Sequence, residues 1–511
     1  MPKPTDMEIP SSYIIATADE SRIIDSETVN SFGIDEFTLM EAAGLSAANE
    51  ILKTIDRDHH GVFLCGKGNN GGDALVAARY LAQSGVKCSV VFISGYDDLS
   101  ATTQKNFNLL QKINENDAEA AINFYNSWTD YDQKESADFI IDGMLGTGLN
   151  SDLRGAYSDA VKWANTVACP VYAMDIPTGL HADTGAIKGE AIRAAKTFAF
   201  GVLKQGFYLQ DGHKCTGEIH FCELPFPRYI KQQCSTHLID QSWVPDKSRT
   251  PSRHKYEAGV VYVIAGSEGM TGAAIMAAKS AWAEGVGAVI LICPRGLLPV
   301  FEHNLPQIIK KPVGDYEDVL FRENHIDEVL QIVQQKSGVT LVGPGLGRSE
   351  TTVNFVQQFL DKNMQHSIID ADALWALSQK NDWEKPESSS WILTPHPGEL
   401  STLLNDTIKS DSQRLMAVKE MAQQKDVFLL SKGFPVIVAT PDAKTYLSSY
   451  DTRIFSRAGF GDVLAGKIAA YKSMEYAADE SCFKALLSGY KKAISIQEQD
   501  PHHIPEPFDL I

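Results

Sequence analysis

Val62-Phe63-Leu64-Cys65-Gly66-Lys67-Gly68-Asn69-Asn70-Gly71-Gly72-Asp73 is the stretch that decides the fold. A short apolar run feeds a loop with four glycines, two adjacent asparagines and an aspartate, and Ala74 to Leu81 then follows the pattern of an amphipathic helix. Strand, Gly-rich loop and helix in that order aim backbone N–H groups at an anion, because a helix N-terminus carries unpaired donors and about +0.5 of charge. Glycine permits the close approach. The Asn and Asp side chains add oxygens that can hold a cation or a ribose. The stretch predicts an α/β unit with a site for something phosphorylated.

Gly66, Gly68 and Gly71 satisfy G-x-G-x-x-G, the dinucleotide fingerprint. Its usual companion is missing: an acidic residue about 20 positions on should end the second strand and hold the ribose. Here the strand expected at Lys87 to Ile93 ends in Ile-Ser, and Asp97 and Asp98 fall later, which disfavours a plain hydride-transfer enzyme. Glycines serving only a tight turn are the plain alternative, and adjacent Asn-Asn is unusual for a mere turn. Two later segments share the grammar: Phe139-Ile140-Ile141-Asp142-Gly143-Met144-Leu145-Gly146-Thr147-Gly148 and Val171-Tyr172-Ala173-Met174-Asp175-Ile176-Pro177-Thr178-Gly179. In open α/β sheets ligands bind beyond the carboxyl ends of strands, and Asp73, Asp142 and Asp175 fall at or just past such ends.

The second half repeats this grammar with other motifs. Val260 to Ala265 predicts a buried strand, Gly266 to Gly272 a loop, and Ala273 to Glu284 a small-residue helix. Then come Val342-Gly343-Pro344-Gly345-Leu346-Gly347, Ile369-Asp370-Ala371-Asp372-Ala373-Leu374, Leu393-Thr394-Pro395-His396-Pro397-Gly398-Glu399 and Ser431-Lys432-Gly433-Phe434-Pro435-Val436. The last, Ala458-Gly459-Phe460-Gly461-Asp462-Val463-Leu464-Ala465-Gly466, is the most mechanistic. A Gly-x-Gly-Asp turn opening a helix makes an anion hole of N–H groups with a carboxylate beside it, which suits phosphoryl transfer. Asp462 is placed to accept the proton of an attacking hydroxyl. Plainer roles exist for each: a turn histidine for His396, βα turns for Gly343, Gly345 and Gly347, a solvated lysine for Lys432, an N-cap for Asp462.

The three N-terminal motifs resemble the epimerase domain of NAD(P)H-hydrate repair enzymes, a Rossmann-like three-layer α/β domain, with Thr178 where that family has Ser. The resemblance implies that Asn70, Asp142 and Thr178 hold a potassium ion, since Thr keeps the hydroxyl. It also implies that Asn69, Asn70, Gly71, Gly72 and Asp73, the loop of Gly146, Thr147, Gly148, Leu149, Asn150, Ser151 and Asp152, and Asp175 face the hydrated dinucleotide. Asp175 becomes the candidate acid/base, because epimerising a carbon needs proton transfer and a positioned carboxylate contributes roughly 10²–10⁴-fold; an N-cap is its plainer role. Lys204 also matches a family position, for phosphate contact or fold support.

The later motifs resemble the ribokinase-like superfamily and, within it, the ADP-dependent NAD(P)H-hydrate dehydratases, to which His396 in its Thr-Pro-His-Pro-Gly-Glu setting points. The match spans roughly Arg253 to Tyr471. It implies that Ala273, Gly345, His396 and Asp462 contact the hydrated dinucleotide, and that Lys432, Gly433, Phe434, Pro435, Val436 and Gly461 contact the adenine nucleotide, with Mg²⁺ accompanying ADP. Phe460 departs from the small or hydroxylated residue usual there, and Thr452 to Ser456 lacks the usual Gly-Asn run. Together the two halves imply repair of hydrated NADH and NADPH: epimerisation of R and S forms, then ADP-dependent dehydration of the S form. A ribokinase-like alcohol kinase fused to an inactive Rossmann-like domain is the enzyme-class alternative; a nucleotide-sensing or protein-binding N-terminal module is the non-enzyme one.

Composition agrees with two α/β enzymes in one chain. The 511 residues suit two large domains: residues 1–225, a connecting stretch 226–252 rich in Pro, Lys, Arg, Gln and Ser, and residues 253–500. A net charge of −19 excludes a general nucleic-acid binder, which needs a basic face, and leaves anionic ligands to local loops and cations. Eight cysteines form no Cys-x-x-Cys pair, so neither a zinc cluster nor a redox motif is expected, and the pattern suits a reducing cytosol. Cys65 is expected to be a buried strand-end thiol. No signal peptide or membrane span is expected, and a soluble cytoplasmic homo-oligomer acting on small molecules is. Glu27 to Glu50 predicts a helical lead-in with Phe37, Met40, Ala43, Gly44 and Ala47 on one face; His59-His60 and His502-His503 are expected at the surface, and Pro501 to Ile511 as a tail.

Overall fold

The computed structural model describes residues 10, 13–117, 120–131, 136–239, 258–380 and 382–511. The chain forms two compact units that divide between His237 and Leu238. The N-terminal one contains β1 (Ile14–Ala16), β2 (His60–Cys65), β3 (Lys87–Phe92), β4 (Ile122–Tyr125), β5 (Phe139–Gly143), β6 (Val171–Met174), β7 (Lys196–Phe200), β8 (Leu203–Lys204) and β9 (Glu218–Cys222), and the chain leaves it along β10 (Thr236–Ile239). Its main sheet runs β4-β3-β2-β5-β6-β7-β9, with every neighbour parallel. β2 is buried throughout, as parallel strands covered by helices on both faces must be. The order reverses between β2 and β5, so the crevice for a ligand opens beyond their carboxyl ends. Separately, β1 pairs antiparallel with β10 and parallel with β8.

Several local expectations change in this setting. The helix after β2 starts at Asn69 and runs to Gln83, so the Asn-Asn-Gly-Gly-Asp run forms its first turns instead of a loop before it. Gly71 is required there: a Cβ would lie 2.1 Å from the Gly66 carbonyl oxygen. The lead-in is two helices, Ala18–Glu27 and Glu36–Ile51, joined through a π-helical turn, Thr28–Phe32, and Gly33 at φ +95°. Leu39, Met40, Ala43, Gly44 and Ala47 are buried on the second helix, while Phe37 lies beneath the ammonium of Lys105, 3.5 Å from its ring centre. His60 is not at the surface. It opens the central strand, 8% exposed, with Nε2 2.9 Å from Ser89 Oγ and Nδ1 2.6 Å from the Ser136 carbonyl. Within the expected connecting stretch, Arg228–Lys231 is a short helix and β10 follows; residues 240–257 lie outside the described ones.

The C-terminal unit contains β11 (Val260–Ile264), β12 (Ala288–Pro294), β13 (Ile309–Val313), β14 (Val339–Val342), β15 (His366–Ile369), β16 (Trp391–Leu393), β17 (Phe428–Ser431), β18 (Ile437–Ala439) and β19 (Thr445–Ser448). They run β13-β12-β11-β14-β15-β16-β17-β18-β19, parallel as far as β17 and antiparallel after it. Small residues let the helices Thr271–Ala283 and Phe460–Ser473 press together: a Cβ on Gly466 would lie 2.3 Å from the Ala277 carbonyl oxygen. The expected tail is instead part of the fold. Pro507–Leu510 forms a 3₁₀ turn, and Leu510 is 4% exposed against Phe460, Val463 and Ala493. One leucine in a polar run has no period to reveal this. No helix among the described residues is long and apolar enough to cross a membrane.

Candidate active sites

In the N-terminal unit a cavity of about 640 Å³ opens at the β2/β5 crossover, walled by the two lead-in helices, Gly68–Asn70 and Asp73, Met144–Gly148, Asp175 and Lys204. Asp175 follows β6 at φ +60°, a backbone conformation that costs an ordinary residue about 1–3 kcal/mol. Its carboxylate accepts from Lys204 Nζ and, at 3.3 Å, from the Phe200 amide. Lys204 is 2% exposed and also donates to the carbonyls of Phe200 (3.2 Å) and Val202 (3.1 Å). So Asp175 caps no helix; a buried ammonium aims it into the cavity. Asp73 shares the cavity, and burial, then the charges of Asp175 and Asp25, push its carboxyl well above the usual range. Asp25, exposed on the first lead-in helix, borders the same space, where desolvation and the Asp175 charge raise its carboxyl.

Behind this wall lies a knot of oxygens. Asp142 is fully buried and accepts from the Thr178 amide (2.7 Å), Thr178 Oγ1 (2.7 Å) and the Met144 amide (3.2 Å). Burial nevertheless pushes its pKa up to about 6. Asn70 donates through Nδ2 to the Leu145 carbonyl (3.1 Å), while its Oδ1 is buried with no hydrogen-bond partner. An orphaned buried acceptor beside a carboxylate, a hydroxyl and a carbonyl is the donor set that a hard, oxygen-seeking cation satisfies. These residues therefore fit potassium.

In the C-terminal unit a cavity of about 460 Å³ is lined by His396, Lys432–Phe434, Val436, Thr452, Arg453, Phe455–Gly461 and the apolar side of two helices. Gly459 at φ +98° opens the helix Phe460–Ser473, placing Asp462 in its first turn. Burial, then the charge of Asp370, pushes Asp462 up to about 7. Lys432 is no solvated lysine. Its Nζ is 2.6 Å from Asp370 Oδ1, and a Cβ on Gly461 would lie 3.1 Å from that Nζ. Burial opposes its charge, but Asp370 and Glu399 outweigh it and hold the ammonium above its ordinary range. Asp370 is 1% exposed and also accepts from Thr394 Oγ1 at 2.8 Å, so the pair is satisfied. Ala371, at φ +50°, turns the chain so that Asp370 meets Lys432 while Asp372 bonds the Gly347 amide (2.9 Å) and Arg348 Nε (2.8 Å).

His396 caps the helix Pro397–Leu404. Its Nδ1 accepts from the Gly398 and Glu399 amides at 3.0 and 3.2 Å, which puts the ring proton on Nε2. The exposed ring borders both the large cavity and a smaller one of about 180 Å³ walled by Arg348, Trp375, Gly398, Glu399 and Thr402. Burial raises the Glu399 carboxyl against the lowering pull of Lys432.

A family model described as YjeF-related protein N-terminus matches residues 36–206, and one described as NAD(P)H-hydrate dehydratase matches residues 261–502. A "Bifunctional NAD(P)H-hydrate repair enzyme Nnr" of Salinibacter ruber is 33% identical over 89% of this chain and 86% of its own length. The chain belongs to the bifunctional NAD(P)H-hydrate repair enzymes. Its Escherichia coli relative of the same name is 30% identical over 89% of this chain and 84% of that protein. A solved ADP/ATP-dependent NAD(P)H-hydrate dehydratase from Bacillus subtilis, co-crystallised with ATP/Mg²⁺, is similar at 22% identity and TM-score 0.44, covering 52% of this chain and 90% of that one. The α/β reading stands for both units of the repair enzyme, each built on a largely parallel sheet.

Within this repair enzyme the sequence-predicted residues do not all meet. Asn69, Asn70, Asp73, Gly146, Thr147, Gly148 and Asp175 share the first cavity, whereas Gly71 and Gly72 are buried packing positions. Leu149, Asn150, Ser151 and Asp152 lie outside its walls, the last three exposed. Lys432, Gly433, Phe434, Val436, Gly461 and His396 line the second cavity; Asp462 is not among its lining residues, although its neighbours Gly461 and Val463 are, and Pro435 is not, its carbonyl accepting from Arg414 Nη2 at 2.7 Å. Ala273 and Gly345 pack on each other instead, a Cβ on Gly345 falling 3.2 Å from that of Ala273. Asp25, Asp370, Arg348 and Trp375 went unassigned. Only Asp370, in its strand-end Asp-Ala-Asp motif, carried a readable signal.

Proposed function

We propose that this chain repairs hydrated NADH and NADPH at two separate centres, the N-terminal cavity interconverting the R and S hydrates and the C-terminal one dehydrating the S form with ADP. One observation carries the reading: each unit has its own cavity with a carboxylate and a lysine at it, Asp175 paired with the buried Lys204 in the first, and in the second the part-buried Lys432 on the wall with Asp462 in the helix turn between the lining residues Gly461 and Val463. In the first, Asp175 exchanges a proton with the hydrated ring while Lys204 holds its oxygen in place. Asp73, its carboxyl raised well above the usual range by burial and the charge of Asp175, lies in the same space. Asn70, Asp142, Thr178 and the Leu145 carbonyl would hold potassium. When bound, it supplies positive charge beside the helix N-terminus that receives the dinucleotide phosphates.

In the second centre, ADP would lie with its phosphates against the Gly459–Gly461 amides and Lys432, and Mg²⁺ brought with ADP would add positive charge to them. His396, shared by both cavities, positions the hydrate. Asp462 takes the hydroxyl proton as the oxygen attacks the β-phosphorus of ADP, and AMP leaves. The C–O bond then breaks, phosphate departs with the electron pair, and loss of a proton from the neighbouring carbon restores the double bond. The eight free thiols, seven of them buried, suit work in a reducing cytosol, and we expect a homo-oligomer. The test is purified protein with a mixture of R and S hydrates, with and without ADP, followed at the reduced-nicotinamide absorbance. Complete conversion requires ADP; conversion without ADP, or none with it, overturns the reading.

A further inference from the structure

The dehydratase family model ends at residue 502, yet the nucleotide cavity does not close there. Leu510 is one of its lining residues and is 4% exposed. The turn that carries it, Pro507–Leu510, is pinned on several sides. Lys492 Nζ donates to the Ile511 carbonyl oxygen at 2.7 Å, and Arg457 Nη1, on the cavity rim, meets Glu506 Oε1 at 3.2 Å. The turn is also capped internally, the Glu506 amide donating to Asp509 Oδ2 at 2.7 Å. On its inner side Pro507 Cγ comes within 3.0 Å of where a Cβ on Gly459 would stand. Gly459 is the left-handed residue that opens the Asp462 helix. Leu510 packs on Phe460, which in turn meets Phe455 edge-on with ring centres 5.4 Å apart.

The cavity's lining mixes cations, Lys432, Arg453, Arg457 and Lys467, and the glycine turn with apolar side chains, Leu486, Val463, Leu464 and Leu510. We infer that the Pro507–Leu510 turn completes the nucleotide site, Leu510 forming the apolar wall against the purine base of the adenine nucleotide while Pro507 holds the Gly459 turn in register for its phosphates. This rests on the nucleotide-site reading above. A polyphosphate without a base makes no use of the Leu510 wall, so this side chain contributes to discrimination for a base-bearing nucleotide.

The test uses the full-length chain, with ADP binding by calorimetry and with dehydration and epimerisation rates. Removing the wall by Leu510→Ala should raise both Kd and KM for ADP about tenfold, in proportion to the apolar area taken from the base. It should leave epimerisation in the first unit unchanged, and Leu510→Met, similar in volume, should restore Kd to within about two-fold. Inorganic pyrophosphate, tested as a competitor against ADP, should inhibit wild type and Leu510→Ala with the same constant. If Leu510→Ala folds and binds ADP like wild type, or if it weakens pyrophosphate as much as ADP, the turn is only packing and the inference falls. Wild type that binds no ADP would overturn the nucleotide-site reading itself, a result separate from either.

Discussion

The sharpest consequence of the C-terminal site concerns how dehydration depends on pH through Asp462. Its carboxyl titrates near 7, far above its ordinary 3.8, because burial and the charge of Asp370 disfavour the anion more than Lys432 favours it. A general base must be ionised, so kcat/KM for dehydration, which reports the free enzyme, should be half-maximal near pH 7 and fall about tenfold per unit below it. Asp462→Asn should cut kcat by roughly 10²–10⁴-fold while keeping ADP affinity and epimerisation. Lys432→Met removes the one cation that lowers the Asp462 pKa, so its profile should shift to higher pH, and its KM for ADP should rise as well. Stability moves oppositely to activity. The native carboxyl keeps its proton up to about pH 7 and the unfolded one loses it near 3.8, so wild-type stability falls as pH rises through that window. Asp462→Asn should therefore gain on wild type by about 2 kcal/mol between pH 4 and pH 8, allowing for partial exposure. The assay is S-hydrate turnover with saturating ADP across pH, paired with thermal melts. Near-normal turnover by the Asn variant, or a flat profile in wild type, would refute the reasoning.

Asp175→Asn should abolish R-to-S conversion and spare ADP-dependent turnover of pure S hydrate; Lys204→Met should slow epimerisation by about 10²-fold by freeing Asp175 to rotate, and unchanged R-form consumption by either would remove that assignment. Exchanging potassium for lithium should weaken dinucleotide binding in the first site by several-fold, and Asn70→Ala, which deletes the orphaned Oδ1, should abolish the cation dependence; binding indifferent to the cation in wild type would count against Asn70, Asp142 and Thr178 as its ligands. A fragment of residues 238–511 should fold and dehydrate the S hydrate alone, since its core cluster draws on residues from Ile239 to Leu487 without any from the first unit; a fragment that is helical by circular dichroism but binds no ADP would show that this unit needs the rest of the chain.

What the sequence by itself determined were the features that local chemistry dictates. Apolar runs such as Val62–Cys65 and Val260–Ile264 had to be buried parallel strands, and glycines beside Asn or Asp after them had to mark the ligand edge, because turn sterics and helix-end donors act within a few residues. Asn70, Asp73, Asp175, Lys432 and Asp462 were legible on that basis. Tertiary structure alone decided which of those groups meet. Lys432 and Asp370, 62 positions apart, become a part-buried ion pair. Asp25 joins Asp73 and Asp175 across a cavity, and His60 turns inward toward Ser89. Leu149 to Asp152 drop out of the first site, and Leu510 leaves an apparent tail for the wall of the second. A strand's periodicity is a property of neighbours in the chain, whereas a carboxyl's protonation and a leucine's burial depend on neighbours in space, and those are settled only when distant segments pack.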